Sequence, residues 1–386
     1  MHTLSVILRA LIAIWLGATF IFIADGILVS SASLLLERFS ASKHEIGLVN
    51  ACFFAGALAC TLLAHKIISV FGYLKAFYIF SIIFALSAIF GAFNSNLIFW
   101  GILRFFMGFS YYSSVMVFEV WINSKINSKI RSRVFAFYEV LFYITFGLGS
   151  LFIAFELSAT KLLIISTLFI IIAIIPMKMT TLKAPQTPKV AKINFPNIFL
   201  APKLSILAAL IAGICINGFF SMASLFGSLS GFNDSKIAAI IMTAMCGGAF
   251  GHAFFGVFSD KYGRECAILL ASFVSFCASF CLLFKEFLYI GVFMLGFGIF
   301  VLYVLSLALA SDKVKDKALY INASRSMLFS YLLGSLLSAP ILGLAMSAFS
   351  HFGFIYFYII LCGTLFAVFA ISLRLNRIKD DNYQPA

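Results

Sequence analysis

Long apolar stretches, separated by short polar segments, run along almost the whole chain. A helix needs about 20 apolar residues to cross a bilayer, so stretches of this length with few charges predict transmembrane helices. The pattern predicts an all-α membrane protein with 12 transmembrane helices, at about 6–36, 44–64, 75–93, 97–121, 134–155, 161–177, 204–229, 236–257, 266–284, 287–310, 318–345 and 352–373.

The longest polar stretch divides these helices into two groups of six. Residues 178–203 contain five Lys and four of the 7 Pro, a composition typical of a connector rather than a helix. The predicted organisation is a six-helix bundle over 1–177, a cytoplasmic linker over 178–203, a second six-helix bundle over 204–373 and a cytoplasmic tail over 374–386.

Three short strings recur in both groups, in equivalent helices and at offsets of 185, 188 and 191 residues. They are G-S-L-F-I-A at 149–154 with G-S-L-L-S-A at 334–339, M-G-F at 107–109 with L-G-F at 295–297, and F-G-Y-L-K at 71–75 with Y-G-R-E-C at 262–266. Parallel repeats of this kind predict two pseudo-symmetric bundles with a substrate cavity between them near the bilayer midplane.

Composition excludes a soluble globular protein, because hydrophobic residues make up 63% of the chain and charged residues only 11%. The net charge of +13 is explained by its placement. With Met1 inside, 20 of the 27 Lys and Arg lie in cytoplasmic segments and five outside, while Arg104 and Arg325 fall within spans. This asymmetry predicts that both termini are cytoplasmic, and that the positive charge faces a lipid bilayer rather than nucleic acid.

The string G-V-F-S-D-K-Y-G-R, from Gly256 to Arg264, stands between spans 8 and 9. We expect Gly256 to admit a neighbouring helix and Gly263 to allow a tight turn. Asp260 can pair with arginine beside Lys261, which makes a latch that breaks when the two halves rock. The matching first-half string, A-H-K-I-I-S-V-F-G-Y-L-K, has no Asp, so any latch there is weaker.

The string from Gly256 to Arg264 resembles the loop signature of the major facilitator superfamily. R-F-F-M-G, from Arg104 to Gly108, resembles that family's R-x-x-x-G signature, whose Arg is often tied to proton coupling or substrate binding. E-V-W-I-N at 119–123 and R-S-R-V-F-A-F-Y at 131–138 are similar to the branch typified by YcaD. The resemblance implies the major facilitator fold, a monomer in the bacterial inner membrane and a small-molecule substrate.

One departure bears on the substrate. Span 5 reads Y-I-T-F-G-L-G-S, without the G-P-x-x-G-G string typical of drug/proton antiporters, although a trace of it, L-G-S-L-L-S-A-P-I-L-G, occurs in span 11. This weakens a drug-antiporter interpretation without removing it.

Ionisable groups within the spans are candidate functional residues, since each costs about 2.5–3.5 kcal/mol to insert. We expect Asp25 to bind a cationic group or carry a proton; the alternative is a satisfied packing residue. Asn217 occupies a roughly corresponding place in span 7. The full set of substrate and proton-coupling candidates is Asp25, Arg104, Glu139, Asn217, His252 and Arg325.

Glu139 and His252 lie at similar depths from the cytoplasm, and the resemblance implies that their helices pack together. They are predicted to form a protonation-sensitive pair, because imidazole titrates near neutral pH. The alternative is a His bonded to a backbone carbonyl and a Glu that faces the cavity without coupling.

A second network is predicted at the cytoplasmic end, where Glu119, Arg133, Asp260 and Arg264 close a gate. The alternative is ordinary solvated loop charge. Arg104 and Arg325 are predicted to neutralise an anionic substrate, and the alternative for Arg325 is a counter-charge for an acidic side chain.

The favoured function is proton-linked secondary transport by alternating access. The Phe-rich spans predict an apolar lining of the cavity, which favours export of a small amphipathic compound. Uptake of an organic anion is the main alternative. A membrane enzyme lacks support, because no nucleophile with a base, metal constellation or phosphate-binding loop occurs. A sensor lacks an appended signalling domain, and no cofactor is expected.

Overall fold

Helices form all the regular secondary structure of the described residues, which are 11–126, 128–187, 201–313 and 317–381 of a computed structural model. Two short 3-10 turns, Leu151–Phe155 and Lys285–Phe287, join helices at loops. The α-helices are Ile12–Arg38 (α1), Lys43–Gly91 (α2), Leu97–Lys125 (α3), Ser128–Ser150 (α4), Ala159–Ile172 (α5), Ile174–Lys178 (α6), Lys203–Leu229 (α7), Asp234–Tyr262 (α8), Arg264–Cys281 (α9), Leu288–Ile299 (α10), Leu302–Lys313 (α11), Lys317–Phe349 (α12) and His351–Asp381 (α13).

Eleven helical segments within these ranges are long and apolar enough to cross a membrane. Each is at least 18 residues long and contains an apolar stretch with few charged residues. In water such a surface would be unstable, whereas in a bilayer it is matched by lipid. The prediction of an all-α membrane protein is confirmed.

The second helix is the exception in length, at 49 residues. A straight helix of that size would extend about 74 Å, more than twice the roughly 30 Å of hydrocarbon. It breaks at Gly72, where φ is 75° and ψ is 165°. The two arms on either side correspond to the predicted spans 44–64 and 75–93. This break supports a count of twelve spans, which stays a prediction.

The chain folds into two compact units. The first takes the described residues up to 187, with Phe220–Met242 and Ala339–Leu344 of the second half. In it, α2 packs on α3 and α1 packs on α4. The second unit contains the remaining parts of α7, α8 and α12, together with the whole of α9, α10, α11 and α13. In this unit, α9 packs on α10 and on α13.

The predicted division at the linker and tail stays a prediction. Residues 188–200 of the linker and 382–386 of the tail lie outside the described residues. Helix α13 continues to Asp381, so its last turns extend into the segment that the sequence predicts as a tail.

Both halves of the sequence repeat the same close helix contacts, each within its own unit. A Cβ added at any of four glycines would meet a carbonyl oxygen of the neighbouring helix, so no larger residue fits without movement. The contacts in the first unit are Gly108 on Phe53 and Gly149 on Ile23, and those in the second are Gly296 on Ala244 and Gly334 on Leu210. These glycines belong to the recurring strings, which supports the predicted repeat.

The third recurring string is a matched pair of turns. Gly263, between α8 and α9, has φ 88° and ψ 158°, close to the values at Gly72 in α2. Few residues other than glycine adopt this backbone region, because a Cβ would clash. The tight turn expected at Gly263 is therefore present, and its first-half counterpart has the same geometry.

Candidate functional site

A pair of opposite charges lies buried in the first unit. Asp25 on α1 is 4% exposed and Arg104 on α3 is 1% exposed, and the two charges act on each other. The Tyr111 hydroxyl, two turns along α3, also interacts with the Asp25 carboxyl. Mutual compensation is what allows two charges to stay in a low-dielectric interior. The structure thus brings together two residues that the sequence identified separately.

This pair has unused hydrogen-bonding capacity. Among the described residues, Asp25 Oδ1 and Arg104 Nε and Nη1 have no hydrogen-bond partner. The Arg104 guanidinium carbon lies 4.6 Å from the centroid of the Phe53 ring, an aromatic contact that favours the cation. Buried polar atoms are normally satisfied, so these free positions are suited to an added polar group or an exchanging proton.

The remaining Arg104 contact runs through a chain of buried polar groups in the same unit. Arg104 Nη2 donates to Asn50 Oδ1 at 3.0 Å. Asn50 Nδ2 donates to Ser33 Oγ at 2.8 Å and to the Ser221 carbonyl at 3.3 Å. Ser33 Oγ donates to the same carbonyl. Sequence reasoning missed Asn50 and Ser33, because it searched the spans for charges; a neutral amide in the apolar stretch 44–64 was the available signal.

Two carboxylates also approach each other in the first unit. Glu119 on α3 and Glu139 on α4 act on each other's charge, and the Tyr138 hydroxyl interacts with both. Tyr138 is 3% exposed and its hydroxyl has no hydrogen-bond partner among the described residues, whereas Glu119 is exposed and Glu139 half-buried. A second negative charge nearby disfavours the ionisation of both carboxylates together. The sequence had assigned them to different networks.

Asn217 belongs to a polar cluster of the second unit. Its Nδ2 donates to Tyr331 OH at 3.0 Å, Ser335 Oγ at 2.7 Å and the Gly213 carbonyl at 3.2 Å. The shared glycine contacts pair Asn217 with Ser30 of α1, five residues beyond Asp25, so the correspondence between Asp25 and Asn217 is approximate.

The other two candidates in the second unit differ in exposure. His252 is half-buried and interacts with the backbone of Phe300. This is the contact that the alternative interpretation expected, and the pairing of His252 with Glu139 stays a prediction. Arg325 is exposed, two residues from the start of the apolar part of α12.

The predicted latch residues form an ion-pair network in the second unit. Arg264 Nη1 lies 2.7 Å from Asp260 Oδ1, and Arg264 Nε lies 3.5 Å from Asp312 Oδ2. Beside them, Lys313 Nζ lies 2.7 Å from Glu265 Oε1. The sequence analysis missed the contribution of Asp312 and Lys313, since they are separated from the motif by a whole hairpin, and it missed Glu265, which follows Arg264 directly, because its partner Lys313 is distant in sequence.

The other gate residues are less constrained. Lys261 Nζ lies 5.0 Å from the Tyr262 ring centroid, and Arg133 is exposed, like Glu119 in the same unit. A gate made of Glu119, Arg133, Asp260 and Arg264 therefore stays a prediction.

The expectation for Gly256 is wrong in this structure. Among the described residues, a Cβ there would meet nothing within 4 Å, so none of their helices packs closely on it. The close approach occurs five and nine residues earlier, where Gly251 and Gly247 face the carbonyls of Phe297 and Phe293. The reason is that α8 and α10 cross before α8 reaches its end.

Eleven apolar helices in the described part of the chain, repeated glycine contacts, and a buried Asp25 and Arg104 with free polar atoms are features of a polytopic membrane transport protein. The family model of the Major Facilitator Superfamily matches residues 14–323. The chain belongs to this superfamily and is a transporter of a small solute rather than an enzyme.

Relatives and solved structures agree with this assignment. The chain is 25% identical over 347 residues to an MFS-type transporter of Enterobacter sp. (strain 638), covering 89% of this chain and 90% of the relative. It is 24% identical over 351 residues to the MFS-type transporter YcaD of Escherichia fergusonii, covering 90% and 91%.

Among solved structures, the nucleoside transporter NupG superposes with a TM-score of 0.73 at 15% identity, covering 95% of this chain and 98% of that one. A bacterial homolog of the human lysosomal transporter Spinster, in an inward-facing and unoccupied conformation, superposes with a TM-score of 0.70 at 17% identity over 100% of both chains. These likenesses confirm the major facilitator fold.

Proposed function

We propose that the protein is a proton-linked secondary transporter that moves a small organic solute across the bacterial inner membrane by alternating access. It acts as a monomer with both termini in the cytoplasm. The observation that carries the proposal is the buried pair of Asp25 and Arg104, whose side chains keep polar atoms unpartnered.

Proton coupling follows from the chemistry of this pair. Protonation of Asp25 removes the negative charge opposite Arg104 and leaves a buried cation without compensation. An anionic or polar group of the solute then restores the balance, or the proton leaves again. Binding of proton and solute is thereby linked through one local charge, which is how a gradient of one species drives movement of the other.

The aromatic surroundings favour export of an amphipathic compound. Near Asp25 in the first unit, Phe22 contacts Phe142 with ring centroids 5.1 Å apart, and Phe146 contacts Phe220 at 4.9 Å. Such surfaces bind apolar groups, because burying them removes apolar area from water.

Uptake of an organic anion is the alternative function. It is favoured by the unpartnered Nε and Nη1 of Arg104, two donors in a buried setting suited to a carboxylate or phosphate.

The experiment begins with a thermal-shift screen of metabolites and antimicrobials on the purified protein in detergent. Stabilising compounds are then tested in proteoliposomes that contain a pH-sensitive dye. We expect solute-dependent proton flux in the parent protein. Protons should move opposite to the solute if the protein exports it in exchange for protons, and together with the solute if the protein takes up an anion with protons.

The matched variants are Asp25→Asn, which removes the titratable group, and Glu286→Gln, which neutralises an exposed loop carboxylate. Asp25→Asn is expected to abolish proton flux and retain solute exchange, while Glu286→Gln behaves like the parent. Unchanged proton flux in Asp25→Asn would refute the role of Asp25, and solute movement without proton flux in the parent would refute proton coupling.

A further inference from the structure

Asn50 occupies an unusual position in α2, because one buried amide contacts three other helices. Its Oδ1 accepts from Arg104 of α3, and its Nδ2 donates to Ser33 of α1 and to the carbonyl of Ser221 in α7. Asn50, Ser33 and Ser221 are each 0% exposed. The amide therefore has no water to replace a partner that is lost.

The Ser221 carbonyl belongs to a regular helix turn and accepts additional hydrogen bonds from Asn50 Nδ2 and Ser33 Oγ. It reaches Asn50 only while this part of α7 lies against α1 and α2. Other contacts of the first unit require the same packing: Arg38 Nη2 lies 2.9 Å from Asp234 Oδ2, and the backbone of Gly47 abuts the Ala339 carbonyl. We call these contacts of α1 and α2 with residues 220–242 and 339–344 the seam.

We propose that Asn50 is a positioning residue that ties the Arg104 guanidinium to the seam. It orients Arg104 through Oδ1 and senses the packing of α7 through Nδ2, so a change on one side alters the other. The inference rests on the proposed function for the role of Arg104. It goes further by identifying the group through which the state of Arg104 reaches the helices that must separate.

The physical reason lies in the cost of an unpaired buried amide. If α7 withdraws, Nδ2 keeps only Ser33, and the amide is free to turn away from Arg104. Conversely, when Arg104 turns towards Asp25 or a solute, Oδ1 loses its donor and Nδ2 is no longer held in line with the Ser221 carbonyl. A buried group without its partner is strongly disfavoured, so the paired arrangements on both sides occur together.

A merely structural Asn would give a different result in a double-mutant cycle. Asn50→Leu removes both arms of the amide, and Arg104→Gln removes the charge on one side. If Asn50 carries the coupling, each change opens the seam and the combination opens it no further. If Asn50 only fills space, the two effects add.

Seam closure can be measured without a substrate by cross-linking. Arg38→Cys and Asp234→Cys replace a half-exposed ion pair at the edge of the seam, and a short bismaleimide joins them only while the seam is closed. Mass spectrometry quantifies the cross-linked peptide, and each single-Cys protein gives the background from the native cysteines.

The expected results are specific. Arg104→Gln and Asn50→Leu each lower the cross-linking rate about five- to tenfold, as the loss of one or two buried hydrogen bonds predicts. The double variant equals the stronger single variant. Asn50→Asp keeps an acceptor for Arg104 but removes the donor to Ser33 and Ser221, so it should also lower the cross-linking rate.

The matched control is Ser87→Ala, which removes another buried polar group of α2 whose hydrogen bond, to the Ile83 carbonyl at 2.8 Å, stays within the helix. It should cross-link like the parent. Additive effects, or parent-level cross-linking in Asn50→Leu, would overturn the inference. If Asn50→Leu does not fold, the cycle is run with Asn50→Asp. Because cross-linking needs no solute, its failure is distinguishable from failure of proton-linked transport.

Discussion

The two sequence repeats share a frame of glycine contacts but place their charges differently. Asp25 and Arg104, buried in the first unit, correspond by the glycine offsets to Ala212 and Val292 of the second, which are equally buried and apolar. The ion-pair network at the loop is distributed in the opposite way. Asp260 and its partner Arg264 correspond to Ser69 and Tyr73 in the first half, which cannot form that pair.

This difference separates what the fold requires from what the function requires. Close helix packing is needed in both repeats, so both keep glycine at the crossing points. A charge within the bilayer is costly in either repeat, and at these paired positions only the first repeat carries one. The first repeat thus holds the buried charges Asp25 and Arg104, and the second holds the exposed ion pair.

The largest expected effect comes from breaking the buried pair. Arg104→Leu removes both the cation that acts on Asp25 and the donor to Asn50, and it leaves these two groups buried, so we expect the free energy of unfolding to fall by about 3–5 kcal/mol. The loss should shrink as pH falls, since protonation of Asp25 removes the unpaired charge. Chemical unfolding in detergent at several pH values measures both effects.

The equivalent position of the second repeat supplies the control for that prediction. Val292→Leu changes an apolar side chain for another and should cost less than about 1.5 kcal/mol. Equal losses in Arg104→Leu and Val292→Leu would mean that Arg104 serves packing alone, and the contrast between the repeats would disappear.

A smaller effect should be common to both repeats. Gly72→Ala and Gly263→Ala each force a Cβ into a backbone region reserved for glycine, at an expected cost of about 1–3 kcal/mol. Gly256→Ala, inside a helix with nothing within 4 Å of the new Cβ, should be neutral or stabilising by up to about 1 kcal/mol. Unfolding midpoints of the three variants make the comparison, which fails if the first two do not differ from the third.

The smallest effect is expected at the ion pair that only the second repeat can form at this position. Asp260 is 71% exposed, so Asp260→Asn should cost no more than about 1 kcal/mol, and the cost should vanish in about 1 M salt. Ser69→Asp should add no stability, because Tyr73 offers it no charge. Unfolding midpoints at low and high salt test this, and a salt-independent loss in Asp260→Asn would argue against an ion-pair role.

Much of the fold was predictable because the bilayer imposes a one-dimensional rule. The length of the hydrophobic stretches was sufficient to locate the spans. The turn at Gly263 was also predictable, because glycine adopts backbone conformations that other residues avoid. Gly256 was misjudged for the opposite reason. Whether a neighbouring helix packs on a glycine depends on where the two helices cross, which no local string specifies.

The charged residues of the candidate site were predictable from the sequence, but the interactions between them were not. Asp25 and Arg104 were recognisable because charge is rare at that depth, yet their mutual interaction depends on how α1 packs beside α3. Glu119 and Glu139 were assigned to separate networks, whereas in the structure the charge of Glu139 acts on Glu119.

The sequence by itself determined the membrane environment and identified Asp25 and Arg104 as charges within the spans, because both follow from the energetics of single residues in lipid. Tertiary structure alone decided which charges face each other and that a neutral amide, Asn50, lies between Arg104 and the Ser221 carbonyl. Hydrogen bonds are short and directional, so their partners are fixed only when helices distant in sequence reach their final register.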